Sequence, residues 1–439
     1  VIAKLDRSKR RTHSHAAYNR LMSEKSRADV LILGGGVIGL ACAHYALAAG
    51  RSVTVLEQGS AGCGSSHGNC GTLTPSHATP LAMPGVLGTA LRWLLKPDAP
   101  LRIKPRFDPA LLRWLLGFAA RCNWHDAVRA TALKAPLLIR SRELIEQLIR
   151  DEALSCEFEA LGSLNVFRDA AHFAHARESL ALLADAGLRV DVLDAATLLA
   201  REPALKPGVV GALFNPGDAQ LRPDRYVAEL ARSVRAHGGR IEEGARIDGI
   251  VRDGARIVKV ATTRGDFSGR EIVLALGAWS PLLARQLDLR IPIQPGKGYS
   301  ITYTRPSLCP RIPMTLKEPS VCVTAWKSGF RLGSTMEFAG YDTSLNRTRL
   351  DALRRGAAAF LHEPEGPAVV EEWFGWRPMT PDDLPIIGRA PAIENLLLAT
   401  GHGMLGVSLS AITGQLIGEL VTQRQPSFDL APFGVQRFA

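Results

Sequence analysis

Residues 30–50, VLILGGGVIGLACAHYALAAG, contain no Asp, Glu, Lys or Arg. A run of that length could cross a bilayer as a helix, but its internal pattern fits a different structure. Val30–Leu33 is a short apolar run of the kind buried on both faces in a parallel sheet. Gly34-x-Gly36-x-x-Gly39 follows at once, and an alanine-rich helix opened by Val37 and Ile38 runs to Gly50. Ser52–Leu56 then reads as a second strand, with Glu57 and Gln58 at its tip. Strand, glycine turn, helix, strand and acid in this order form a β-α-β unit suited to a dinucleotide. Gly34 permits the tight turn. Gly36 lets a pyrophosphate approach the amides at the helix start, where the dipole and free N–H groups favour an anion. Gly39 lets the helix pack closely on the strand. Glu57 can accept hydrogen bonds from ribose hydroxyls and disfavours a 2′-phosphate, which argues against NADP. The motif alone does not separate FAD from NAD.

The chain has 439 residues, enough for two or three domains. With 46% hydrophobic and 22% charged residues, disordered, collagen-like and coiled-coil classes are excluded. The formal charge of +11 is concentrated at the start. Residues 1–21 carry Lys4, Arg7, Lys9, Arg10, Arg11 and Arg20 against Asp6 alone. Residues 1–27 therefore read as a disordered basic leader. No basic–aromatic motif elsewhere points to a nucleic acid partner. The seven cysteines include no CxxC, and no secretory signal is recognised, so a cytoplasmic, reducing location is expected. Cys63, His67 and Cys70 have metal-like spacing but lack a fourth ligand, so no metal is expected.

Helical patterns are expected at 110–122, 131–151, 172–187, 223–237 and 346–362. Strands are expected at 160–168, 240–252, 255–263, 266–275, 299–304, 321–326, 330–334 and 396–399. Ile272–Ala275 running into Gly277-Ala-Trp279 repeats the strand-and-glycine theme. So does Leu396–Ala399 before Gly401-His-Gly-Met-Leu-Gly406, which opens a helix to about Val421. The fold class is therefore α/β, with a nucleotide domain interrupted by insertions that form a second domain.

Five stretches carry a family resemblance: VLILGGGVIG with Glu57, SSHGNCGTLTPSHATPLAMPGV, PGKGYSIT, WFGWRPMTPDDLPIIG and ATGHGMLGVSLSAITG. Over residues 28–425 the chain resembles the FAD-dependent D-amino-acid dehydrogenases within the D-amino-acid oxidase and glycine oxidase group. The resemblance implies FAD and a glutathione-reductase-like Rossmann domain, with a substrate domain on a mixed, largely antiparallel sheet. Non-covalent FAD is expected because His67 sits one position early for a histidyl tether and the Arg-Pro stretch has no cysteine to tether it. The expected division is 28–77, 211–285 and 380–425 for FAD, 78–210 and 286–379 for substrate, and 426–439 as a tail. The implied reaction moves a hydride from Cα of a D-amino acid, or of a cyclic imino acid such as cis-4-hydroxy-D-proline, to flavin N5. The imino acid then hydrolyses to a 2-oxo acid, and electrons pass to a respiratory quinone or another acceptor.

Arg377 is expected to hold the substrate carboxylate, since a planar guanidinium makes two parallel charge-assisted bonds. Tyr299 and Lys297 are expected near the pocket. Ser65, Ser66, Asn69 and Gly71 should contact the pyrophosphate and the ring, as should Gly277 and Trp279. Gly401, His402, Gly403, Met404, Leu405 and Gly406 should aim a helix start at the reduced ring's negative charge. Two other readings compete: an oxygen-using oxidase and a non-catalytic flavin-binding subunit. Residues 92–121 interleave Arg and Lys with Trp, Leu and Phe, which suits peripheral contact with the inner face of the cytoplasmic membrane.

Overall fold

The computed structural model describes residues 27–94 and 99–439; the expected leader falls outside them, apart from Arg27. In chain order the elements are β1 (Arg27–Leu33), α1 (Val37–Ala48), β2 (Val53–Leu56), α2 (Val86–Leu94), β3 (Leu101–Ile103), α3 (Pro109–Ala120) and α4 (Trp124–Asp151). Then come β4 (Ser163–Phe167), β5 (Asp191–Asp194), β6 (Gly211–Asn215), α5 (Pro223–Ala236), β7 (Arg240–Glu242), β8 (Ile247–Asp253), β9 (Arg256–Thr262) and β10 (Gly265–Leu274). The chain continues with β11 (Gln294–Tyr303), β12 (Met314–Leu316), β13 (Val321–Trp326), β14 (Gly329–Phe338), α6 (Arg347–Ala358), β15 (Val369–Met379), β16 (Ile386–Arg389), β17 (Leu396–Thr400) and α7 (Ser410–Val421).

Two large sheets result. In the first, β17, β10, β1, β2 and β7 lie parallel in that order, and β16 adds an antiparallel edge. Parallel strands covered on both faces must be apolar throughout, and Val30–Leu33, Val53–Leu56 and Leu396–Thr400 are buried residue by residue. Helices α1, α5 and α7 cover one face with α4 behind them. The other face packs on the β8–β9 hairpin and on Leu283, Leu287, Ile291 and Ile293.

The second sheet runs β15-β11-β14-β13-β12-β4-β6-β5, with β3 added parallel to β14. Only the β3–β14 and β12–β4 pairs are parallel. One face is apolar, with Ile301, Leu332 and Val323 packed against Leu350 and Leu353 of α6.

Several boundaries differ from expectation. Helix α4 starts at Trp124, where Asn123 accepts a hydrogen bond from the Asp126 amide, and it continues through Pro136. The 172–187 region is two short helices, Ala170–Arg177 and Leu180–Asp185. Gly211–Asn215, expected with the nucleotide unit, pairs instead with β4 and β5 in the second sheet. The helix after Gly406 begins only at Ser410. The 426–439 segment is packed rather than trailing: Phe433 and Val435 are buried, and Arg437 pairs with Asp382 at 2.7 Å.

Candidate active site

A cavity of about 1930 Å³ runs from the first β-α-β turn to the second sheet. Its nucleotide end is built by the glycines. Gly34 has φ +110°, and a Cβ there would stand 2.5 Å from the Ala275 carbonyl oxygen. At Gly39 a Cβ would stand 1.9 Å from the Gly34 carbonyl oxygen, so the helix seats directly on the turn. Gly36 is the N-cap of α1 and has no side-chain cap. Gly36, Val37, Ile38, Glu57 and Gln58 line the cavity. Glu57 accepts hydrogen bonds from the Gly35 and Gly59 amides, each at 2.9 Å, which fixes its carboxylate at the strand tip. Ser66 Oγ accepts from the Val37 amide at 3.1 Å.

The segment 63–72 leaves this end and lies across the polar face of the second sheet. Ser65 Oγ donates to the Trp376 carbonyl, Gly68 lies against the Trp373 ring, and His67 Nε2 sits 2.8 Å from Glu371. Asn69 Oδ1 accepts from the Gly71 amide at 2.7 Å. Arg331, almost fully buried on β14, donates to the carbonyls of His67 and Asn69 at 3.0 and 2.7 Å. It thereby ties the segment to the sheet. Nothing in the sequence marks this arginine, because its role depends on which loop the sheet meets.

Opposite, Gly277, Trp279, His402, Gly403, Met404, Leu405 and Gly406 line the wall, while Gly401 packs behind them against Thr380. The Gly403 amide donates to the Pro378 carbonyl and the Leu405 amide to that of His402. Among the described residues the amides of Met404 and Gly406 donate to nothing. These open N–H groups, rather than the start of α7, are the anion-favouring feature here. The His402 ring meets Thr413 Oγ1 at 2.9 Å, and burial lowers its pKa to about 3, so it is a neutral part of the turn. The turn is braced from below: Lys134 on α4, fully buried, pairs with Asp383 at 2.6 Å, and Asp383 abuts Gly403.

Arg377 lies on β15 directly opposite Gly296 of β11. Its guanidinium lies over Gly298, where a Cβ would stand 2.1 Å from Nη1, and Nη1 donates to the Thr335 carbonyl at 2.8 Å. Among the described residues it has no carboxylate partner. It borders the cavity with Met336, Met379 and Trp114.

Lys297 and Tyr299 are not brought together with it. Side chains alternate along a strand, so their odd positions on β11 face away from Arg377. Lys297 is buried outside the cavity, 4.4 Å above the Phe374 ring and 3.7 Å from Asp342, with Nζ donating to the Ser344 carbonyl. Tyr299 borders the cavity, but its ring belongs to the core under α6 and its hydroxyl donates to Glu337 at 2.6 Å. Burial and that carboxylate raise its pKa. No group of metal-binding side chains occurs among the described residues.

A flavin dinucleotide fits this cavity. A glycine cradle and a fixed acid stand at one end, unspent amides lie along the side, and a cation borders the far end.

Residues 29–420 match the family model described as DAO, FAD dependent oxidoreductase. The chain is 34% identical over 419 residues to a D-amino acid dehydrogenase of Rhizorhabdus wittichii, covering 93% of this chain and 100% of that one. It is likewise 34% identical to a D-amino acid dehydrogenase of Chromohalobacter salexigens, covering 94% and 100%. Among solved structures, glycine oxidase from Geobacillus kaustophilus superposes with a TM-score of 0.76 at 24% identity, covering 94% of this chain and 99% of that one. L-proline dehydrogenase from P. horikoshii gives 0.70 at 18%, covering 94% and 98%. At these identities the structural likenesses speak for the fold.

Proposed function

The chain belongs to the DAO family of FAD-dependent oxidoreductases, and on that premise we propose that it oxidises a D-amino acid whose carboxylate is gripped by Arg377. Bound FAD supplies a two-electron acceptor, held non-covalently by the Gly34–Gly39 turn, Glu57, Ser65, Ser66 and Asn69, the Gly277–Trp279 turn and the Gly403–Gly406 wall. The observation that carries this reading is the half-buried Arg377 on the cavity wall, with no carboxylate of its own among the described residues and its Nη1 spent on a backbone carbonyl. An arginine cannot shed its charge, so a half-buried one without a carboxylate partner favours an anionic ligand. Two bonds from one planar fork fix both the position and the rotation of an amino acid about its carboxylate. Orientation of this kind lowers a barrier without any acid or base from the chain. Open amides at Met404 and Gly406 favour negative charge developing beside them.

The names of the curated relatives support D-amino acids and an acceptor other than oxygen. Cyclic imino acids such as cis-4-hydroxy-D-proline remain within the proposed class. The test is an anaerobic titration of the yellow protein with D- and L-amino acids, D-proline and hydroxyproline isomers. D-substrates are expected to bleach the flavin and L-isomers to leave it. Denaturation should release the flavin free of polypeptide. Bleaching by no D-compound would refute the reading.

The electron acceptor proposed is a respiratory quinone, reached at the inner face of the cytoplasmic membrane. Leu91 of α2 and Leu116 of α3 are 67% and 63% exposed and also border the cavity, and Phe107 between these helices is 98% exposed. Arg92 and Arg113 lie on these helices, while Lys104 and Arg106 are paired with Asp342 and Asp108 at 3.0 and 2.8 Å. An apolar mouth flanked by Arg92 and Arg113 suits an anionic lipid surface. No helix among the described residues is long and apolar enough to cross a membrane. Co-sedimentation with anionic vesicles at low salt, reversed at high salt, is the expected result. Failure to sediment at low salt would exclude lipid contact.

A further inference from the structure

Two thiols from distant parts of the chain meet on the cavity wall. Cys70 lies in the 63–72 segment, and Cys322 lies on β13 with Gly333 of β14 as its direct cross-strand partner. The Cys70 sulfur covers that glycine: a Cβ on Gly333 would stand 2.5 Å from Cys70 Sγ. Directly opposed residues hold their Cβ atoms roughly 4.5–5.5 Å apart. A sulfur over Gly333 is therefore brought next to Cys322. Both border the cavity, along with Arg377. The contact is polarised. The neighbouring Cys322 side chain, with Arg377 and Arg331 nearby, holds the Cys70 thiol below its ordinary range, while the same neighbour and burial push Cys322 well up. A thiolate-prone sulfur next to a protonated thiol is the arrangement of an attacking and a resolving cysteine.

We propose that Cys70 and Cys322 are a peroxide-oxidisable pair that closes to a disulfide within the cavity wall. Cys70 sulfur attacks one peroxide oxygen and the O–O bond breaks. Cys70 becomes a sulfenic acid, and the departing hydroxide takes up a proton to become water. Cys322 sulfur then displaces the sulfenic oxygen, which leaves as a second water as the S–S bond forms. The thiols lose two electrons, and these reduce the peroxide. The bond joins the segment that carries Asn69 to β13, beside Arg377. The disulfide stands on its own geometry; its nearness to a substrate carboxylate rests on the function proposed above.

The test treats FAD-loaded full-length protein with hydrogen peroxide, blocks remaining thiols by alkylation and maps the peptides. A linked Cys70–Cys322 peptide is expected, reversible by dithiothreitol. In Cys322→Ser the link is absent and Cys70 proceeds to sulfinic acid. If both thiols stay free at a peroxide dose that oxidises the exposed Cys63, or if Cys70 in that variant is no more oxidised than in the parent, the proposal is overturned. A second arm adds pyruvate, a 2-oxo acid. Cross-linking is expected to slow at least threefold as its carboxylate occupies Arg377. A disulfide that forms at an unchanged rate would support the thiol pair and count against the Arg377 anchor.

Discussion

Arg377→Ala is expected to lower kcat/KM for a D-amino acid by roughly 30- to 4000-fold while FAD stays bound. Truncating one side of a buried charge-assisted pair costs about 2–5 kcal/mol, and each 1.4 kcal/mol is about tenfold in rate. Arg377 has no carboxylate partner among the described residues, so alanine strands no internal anion, and the loss should fall on the substrate rather than on the fold. Arg377→Lys keeps the charge but not the fork, and should fall between alanine and the parent. Steady-state dye reduction together with the flavin absorbance of the purified variant reads both quantities. A yellow Arg377→Ala protein with parental kcat/KM would show that the substrate is held elsewhere.

Gly34→Val is expected to yield colourless protein with a melting temperature lower by at least a few degrees. The residue has φ +110°, where a side chain is strained by about 1–3 kcal/mol, and its Cβ would stand 2.5 Å from the Ala275 oxygen and 2.9 Å from the Ala275 carbonyl carbon. Both atoms are backbone at the end of β10, next to β1, so neither can yield as a flexible side chain would. The displaced turn would also unseat Gly39, which packs on the Gly34 carbonyl oxygen. Gly88→Ala, on α2 with open space around the new methyl group, is the control and should stay yellow and equally stable. A yellow, stable Gly34→Val protein would contradict the account of the cradle.

The nucleotide end was legible in the sequence because its signals are local. Strand, turn and helix lie within residues 30–57, and the same pattern recurs at 272–279. The far end was legible only in part. β15, VVEEWFGWRPM, carries a glycine and a proline, which weaken any strand reading. An edge strand tolerates them, and its pairing with β11 over ten residue pairs supplies the stability that propensity does not. The separation of Lys297 and Tyr299 from Arg377 follows from register. Gly296 faces Arg377, so every even position of β11 nearby shares its side and every odd one leaves it. That parity needs the partner strand, which no local pattern specifies. Arg331 and the Cys70–Cys322 contact likewise arise only when the 63–72 segment meets the second sheet.

Whether Arg377 grips the substrate carboxylate is decided by a crystal structure of the FAD-loaded protein soaked with a 2-oxo acid. Both carboxylate oxygens of the acid are expected within about 3 Å of the Arg377 guanidinium, with Nη1 still donating to the Thr335 carbonyl. An acid bound at another wall of the cavity, with no contact to Arg377, would contradict that grip.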